Sequence, residues 1–541
     1  MNRRLLPLLL AATIAGAACS ADGDAAAPVD GPASADRLTI ALPEARGPLN
    51  LFAGSDEAVA ELVYDKLLAP SPYVEEPRPW LATEVRFVDP TTWEADLRDD
   101  VVWHDGEPFT AEDVVFSIAY FAQAPTGRWT HHVSDVPTFD ASLVDSDTVR
   151  FTCAFACPEL GTVTLADLPI VPEHVWAQVP PEDAKEVRDL PVGTGPYRLV
   201  DFDPVTGYRF EANTGYFAGE PTVRELVMPV IEDPSATFTA LRSGQIDAAL
   251  APVSPELIAE FSAPGSPVQL VRTAPFQFPE LRLNFRNAPF DDPDFRRAIS
   301  RAVDRAEMLD TVFLGQGRPA DKGYPHPDAP FANPELSTPY DPDEARAILD
   351  GLGLVDIDGD GVREGPGGPL RYEILANGGQ PIDMRAAELV AEDLSAVGVA
   401  ATAVPLDAGT LAERSTERDF DLVIGTITAH GVADPTQFIM SHRSGYLWEH
   451  PEIPYPEFDA LFRQWQASTT IEDRLAALDD IQAMFNDQPT SVPLYYPDEY
   501  YAFRPDRYAG WAESPGFGIV HKWSLLPADV VRGANAVVAG D

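Results

Sequence analysis

Between residues 79 and 121 the hydrophobic period changes from two to 3.6 across one turn, which commits this part of the chain to strands with a helix packed on them. Trp93, Ala95 and Leu97 alternate with Glu94 and Asp96, the pattern of a half-buried strand. Residues 101–103 form a second short apolar run, and Asp105-Gly106 supplies a turn. Thr110 stands where a helix cap belongs, with Asp113 at the reciprocal capping position. Val114, Ile118 and Phe121 then recur at helical spacing, so the helix has one face to bury.

The same alternation of strand and helix runs on, giving an α/β chain. Residues 372–376 read as a strand and residues 382–397 as a helix with Ala386, Leu389, Val390 and Leu394 on one side, closed by Gly398. Residues 399–404 and 420–426 read as further strands, so this region is a βαβ-like lobe. Asp341, Pro342 and Glu344 give a cap, a first-turn proline and an early acid for a helix that Gly351 closes. Asp292-Pro293 opens another helix with Phe295, Ile299, Ala302 and Val303 inward, and residues 470–473 open a third with Leu475, Leu478, Ile481 and Phe485 inward.

At 541 residues and 45% hydrophobic content the chain can build two or three domains with large cores. Its formal charge of −48 comes from 86 acids against 38 bases, of which four are lysines. That balance excludes nucleic acid as a partner and electrostatic docking on an anionic bilayer, both of which need clustered Lys and Arg. A solvated acidic shell accounts for it.

The first 20 residues have the form of an export signal: Arg3 and Arg4, an apolar stretch over residues 5–14, then small residues. Gly16-Ala17-Ala18-Cys19 resembles the lipobox of bacterial lipoproteins, with Gly16 in place of the usual Leu. The resemblance makes residues 1–19 a lipoprotein signal peptide and Cys19 the lipid-bearing residue; ordinary cleavage is the alternative. Residues 20–36, made almost wholly of Ala, Asp, Gly, Pro and Ser, read as a flexible tether. Beyond the signal no apolar run approaches the roughly 20 residues of a membrane span. Cys153 and Cys157 are the remaining cysteines, and export to an oxidising compartment makes a local disulfide one reading and two free thiols the other.

Several segments carry a resemblance in one order along the chain: residues 79–121, 192–200 (VGTGPYRLV), 240–247 (ALRSGQID), 283–304 (LNFRNAPFDDPDFRRAISRAVD), 356–364 (DIDGDGVRE) and 491–496 (SVPLYY). Together they resemble the peptide/nickel-type, family 5 extracytoplasmic solute-binding proteins of ABC importers, over roughly residues 36–530. The resemblance implies a periplasmic-binding-protein-like fold (type II, cluster C): two lobes, an extra subdomain and a hinge crossed twice. It implies lobe I at residues 37–60, 190–272 and 496–535, the extra subdomain at 61–189, and lobe II at 273–495. It also implies a monomeric receptor, lipid-anchored to the bacterial cell membrane and facing the periplasm or extracellular side. Such a receptor would close around an oligopeptide, or an oligosaccharide or other small solute, and pass it to the ABC permease complex.

In peptide-binding relatives the loop that corresponds to the one after the strand at residues 420–426 carries an Asp that fixes the ligand's ammonium. Aligning on Pro435 puts Gly431 there, which leaves Asp434 and His430 as candidate contacts beside the plain reading of an Asp-Pro turn. Tyr446, Trp448, Tyr496 and Trp129 add rings able to stack on a solute, though most aromatics of a large protein are core. Asp356, Asp358 and Asp360, with the Val362 carbonyl and Glu364, have the spacing of a calcium loop. Gly367 stands where its closing bidentate Glu belongs, so a structural calcium and a plain Asp/Gly turn both remain open, and no cofactor is required. His131-His132 does not support nickel, because adjacent residues of a strand point oppositely. There is no G-x-S-x-G, H-E-x-x-H, P-loop or G-x-G-x-x-G motif, and an exported hydrolase is the weaker alternative to a receptor without catalysis.

Overall fold

The computed structural model describes residues 31–530 except 46, 55–56, 70–76, 126, 128, 135–138, 162, 274–276, 286, 324, 330, 428–455 and 514–517. Two large sheets organise the chain. The seven-stranded sheet runs Gln269–Thr273, Glu499–Phe503, Ala248–Ala249, Ala35–Ala41, Val223–Met228, Gly207–Ala212 and Tyr197–Asp203 in spatial order. The five-stranded sheet runs Ala400–Leu406, Arg371–Asn377, Leu422–Ile427, Phe278–Leu283 and Ser491–Pro493. Each sheet is the floor of one lobe. The chain passes between them twice, from Thr273 to Phe278 and from Pro493 to Glu499. This is a two-lobed α/β fold with a double crossing.

A third, four-stranded sheet (Ala82–Asp89, Thr92–Leu97, Thr148–Cys153, Phe139–Leu143) forms the extra subdomain. The strand read from Trp93, Ala95 and Leu97 is its second member, with Ala95 and Leu97 buried. The helix Ala111–Phe121 begins after Thr110 as its cap pattern requires. The Asp113 carboxylate accepts from the Thr110 backbone N–H at 2.9 Å, and Val114, Ile118 and Phe121 are buried. The subdomain shares one continuous core with the seven-stranded sheet, since Phe151 and Phe121 belong to the same apolar cluster as Ile40 and Phe210. The five-stranded sheet has its own core around Leu281, Ile374, Val390 and Val492.

The βαβ unit of the second lobe is parallel: Arg371–Asn377 pairs with Ala400–Leu406 on one side and with Leu422–Ile427 on the other, and the helix Pro381–Ala396 packs between the first two. Gly398 (φ +90°) ends that helix; a Cβ there would strike the Arg363 side chain. Two local expectations are corrected. The helix opened by Asp341 runs through Gly351, and the left-handed residue that turns the chain is Gly353 (φ +75°). Leu475 on the helix Ile471–Asp487 is 42% exposed, while its neighbour Arg474 is 4% exposed, so the buried stripe passes through 474, 478, 481 and 485.

Candidate functional site

The seam between the lobes is built around the two crossings. Arg272, next to last in its strand, places its Nε 2.7 Å from Oδ2 of Asp498 on the returning segment. The two crossings are thereby tied to each other. The Tyr500 hydroxyl donates to Gln316 Oε1 at 2.9 Å, which joins the seven-stranded lobe to the turn before Gly317–Pro319. Gly317 (φ +133°) pairs with Pro497, and a Cβ on it would run into the Tyr496 carbonyl, so glycine is required where these backbones meet. Burial raises the Glu499 carboxyl above the usual range, against the pull of the Tyr501 hydroxyl that donates to it at 2.8 Å.

The register of the second sheet decides where the expected ligand loop begins. Ile427, the last residue of its strand, pairs with Phe278, the first residue of the strand entered from the crossing. That strand therefore ends, at Ile427, beside the first crossing and at the end of the lobe that faces the seam. His430, Asp434, Tyr446 and Trp448 follow on residues 428–455, outside the described residues.

The other two aromatic candidates are core residues here. Tyr496 is 1% exposed, edge-to-face with Phe278 at 5.1 Å and 5.0 Å from the His326 ring, with its hydroxyl donating to the Gly323 carbonyl. Burial pushes its phenol well up from the ordinary value. Trp129 is 3% exposed within the core shared by lobe I and the extra subdomain. His131 and His132 lie on a short helix, His131–Ser134, rather than on a strand. His132 is buried, with Nε2 2.7 Å from Asp167 Oδ2.

The acidic loop brings carboxylate oxygens of Asp356, Asp358, Asp360 and Glu364 within 4.8 Å of one another. Those oxygens already accept from the loop's own backbone. Asp356 takes Gly359 N–H at 2.6 Å and Gly361 N–H at 2.9 Å, Asp360 takes Val362 N–H at 2.8 Å, and Glu364 takes Ile357 N–H at 2.7 Å. Arg371 adds a 2.7 Å ion pair to Asp360. Cys153 and Cys157 are joined, S–S 2.08 Å and Cα–Cα 6.4 Å.

Two features were not read from the sequence. Asp65, fully buried, accepts from Lys522 Nζ (2.9 Å), Trp80 Nε1 (2.9 Å), Tyr216 OH (2.9 Å) and Thr194 Oγ1 (3.0 Å). Beside it Lys66 pairs with Glu61 at 2.5 Å and with Asp167 at 3.3 Å. This assembly fastens the subdomain and the last part of the chain to lobe I. The second feature is Arg474, whose buried guanidinium reaches Glu159 of the extra subdomain at 3.2 Å.

Residues 76–448 match the family described as bacterial extracellular solute-binding proteins, family 5 Middle. The chain is 26% identical over 506 residues to di/tripeptide-binding protein 2 of Pseudomonas aeruginosa (strain UCBPP-PA14), covering 88% of this chain and 92% of that one. It is 26% identical over 487 residues to the nickel-binding periplasmic protein of Escherichia coli (strain K12), covering 86% and 90%. Its fold is similar to that of the oligopeptide-binding protein AppA of Bacillus subtilis in complex with a nonapeptide, with a TM-score of 0.72, 20% identity, and 88% and 97% coverage.

Proposed function

The chain belongs to the bacterial extracellular solute-binding proteins of family 5, and from that membership we propose that it captures an oligopeptide at the seam between its lobes and delivers it to an ABC permease. The observation that carries this reading is the register of Ile427 with Phe278: it ends that strand beside the first crossing between the lobes, where closure can bury a ligand on both sides. A di/tripeptide-binding relative matched over most of its length sets the solute class. The nickel-binding relative is as similar in sequence, but among the described residues His132 is committed to Asp167 inside the core and offers nothing at the seam. Asp434 is assigned the solute's ammonium and the rings of Tyr446 and Trp448 its side chains. The solute leaves chemically unchanged.

The same reading places the protein outside the cell, as a monomer held to the membrane by acyl chains on Cys19. Each buried methylene of such a chain contributes about 0.8 kcal/mol. Among the described residues no helix is long and apolar enough to cross a membrane, and the anchor supplies the attachment. Replacing Cys19 by Ala would move the protein from the membrane to the soluble fraction. The deciding experiment for the solute is mass spectrometry of what the purified protein releases on unfolding. Peptides of a few residues are expected; a sugar, a metal chelate or a cleaved product would overturn the assignment.

A further inference from the structure

Arg474 lies in the first turns of the helix Ile471–Asp487, in the lobe of the five-stranded sheet. That helix shares an apolar cluster with Phe278 and with Phe458, Phe462 and Trp465 of the preceding helix. Within its own lobe the Arg474 guanidinium lies 4.0 Å from the Trp465 ring and donates to the Trp465 carbonyl. Its remaining donors leave the lobe. One goes to the Ala156 carbonyl, 318 residues away in sequence, and Nε stands 3.2 Å from Glu159 Oε2. Phe155 packs against the same lobe II cluster from the other side.

The segment that receives these contacts is held as a fixed post on the extra subdomain. Cys153 N–H donates to the Thr91 carbonyl and Cys157 N–H to the Pro90 carbonyl, both at 2.8 Å, and Trp93 Nε1 donates to the Cys157 carbonyl at 2.9 Å. The Cys153–Cys157 bond closes the loop between those anchors. The subdomain is continuous with the core of lobe I, so this contact spans the two lobes at a point covalently independent of either crossing.

From this geometry we propose that Arg474, Glu159 and Phe155 form a latch made in the closed arrangement of the lobes and released when they part. A buried guanidinium is costly unless a carboxylate, a carbonyl and a ring all compensate it, and here the carboxylate and one carbonyl belong to the opposite lobe. Parting the lobes returns Arg474 and Glu159 to water, which makes the contact two-state. The other contacts of the seam, Arg272 with Asp498 and Tyr500 with Gln316, lie next to the crossings, where a hinge rotation changes distances least. A latch of this kind sets the closed fraction without solute. Apparent affinity scales with that fraction, so Arg474 acts as a positioning residue for capture. The inference rests on the two-lobed receptor reading but makes no use of which solute is bound.

The test uses the full chain, stripped of solute by unfolding and refolding, as wild type, Arg474→Met and Phe155→Ala. X-ray scattering reads the separation of the lobes, and hydrogen exchange reads the amides of residues 153–159. Each variant is expected to increase the radius of gyration and to speed exchange in that segment at least tenfold, with the tertiary structure of each lobe kept. Unchanged scattering and exchange in both variants would overturn the latch. Should Arg474→Met lose its tertiary structure, Phe155→Ala, which removes no charge, decides alone. Adding tri-alanine to the wild type separates the two ideas: no compaction with peptide counts against the peptide assignment and leaves the variant comparison standing.

Discussion

Asp65 and Lys522 are 457 residues apart in sequence and meet at 2.9 Å with almost no solvent on either side chain. Removing one partner strands the other charge in the core, the situation that costs about 3–5 kcal/mol in buried pairs. Lys522→Met should therefore lower the urea unfolding free energy by about that amount. Next to Lys522, His521 is fully buried, and burial lowers its imidazole from 6.5 to about 4 against the upward pull of the Glu61 carboxylate. The folded state then stays neutral while the unfolded state takes up a proton below pH 6.5. The contribution of His521 to stability falls as the pH drops from 6.5 toward about 4 and is constant below that. The shift corresponds to about 3 kcal/mol. The difference in unfolding free energy between pH 7 and pH 4 should be smaller by about that much in His521→Gln than in wild type; equal pH dependence would show that His521 is not the group responsible. None of these long-range partners could be read in the sequence, where Lys522 and His521 are two polar residues in an apolar segment.

The helix Ile471–Asp487 shows where local reading succeeds and where it stops. Its start was legible because capping is a contact between neighbours: the Thr470 hydroxyl accepts from Asp473 N–H at 3.1 Å. Thr470→Ala should cost about 1 kcal/mol in denaturant unfolding, a loss that Thr470→Ser should largely avoid. The inward face was only partly legible. Leu478, Ile481 and Phe485 are buried as their spacing predicts, but the stripe takes in Arg474 in place of Leu475 because the extra subdomain supplies a carboxylate and a carbonyl there. Hydrophobic periodicity cannot register a buried arginine whose partners come from another lobe. Three strands of the five-stranded sheet were visible in residues 372–376, 399–404 and 420–426, because a strand's apolar run is local. The two crossings, by contrast, were expected through family resemblance, since nothing in an extended, proline-rich stretch says which sheet it joins.

At the scale of the whole molecule, two cores, one around Ile40 and Phe210 and one around Leu281 and Ile374, are joined by two crossings and by contacts across the seam. A solute held between the lobes binds the closed molecule better than the open one, and that difference drives closure. Binding must therefore do two things at once. Solute at 100 times its dissociation constant should add about 2.7 kcal/mol to the unfolding free energy, and the radius of gyration should fall along the same saturation curve. Thermal melts and X-ray scattering on one titration series of solute-stripped protein check both. Stabilisation without compaction would place the solute on a single lobe and detach it from the hinge, whereas compaction with product formation would make the protein an enzyme. Asp434→Asn should shift both curves together to higher peptide concentration, about tenfold if that carboxylate meets the ammonium, with the melting point of solute-free protein unchanged. The end of the strand before the candidate contacts was legible in the alternation of residues 420–426, but the spacing of His430, Asp434, Tyr446 and Trp448 in sequence carries no angle or distance. An Asp434→Asn curve that overlies the wild type would move the ammonium contact to another carboxylate at the seam, and the half-buried Glu499 is the first to substitute next.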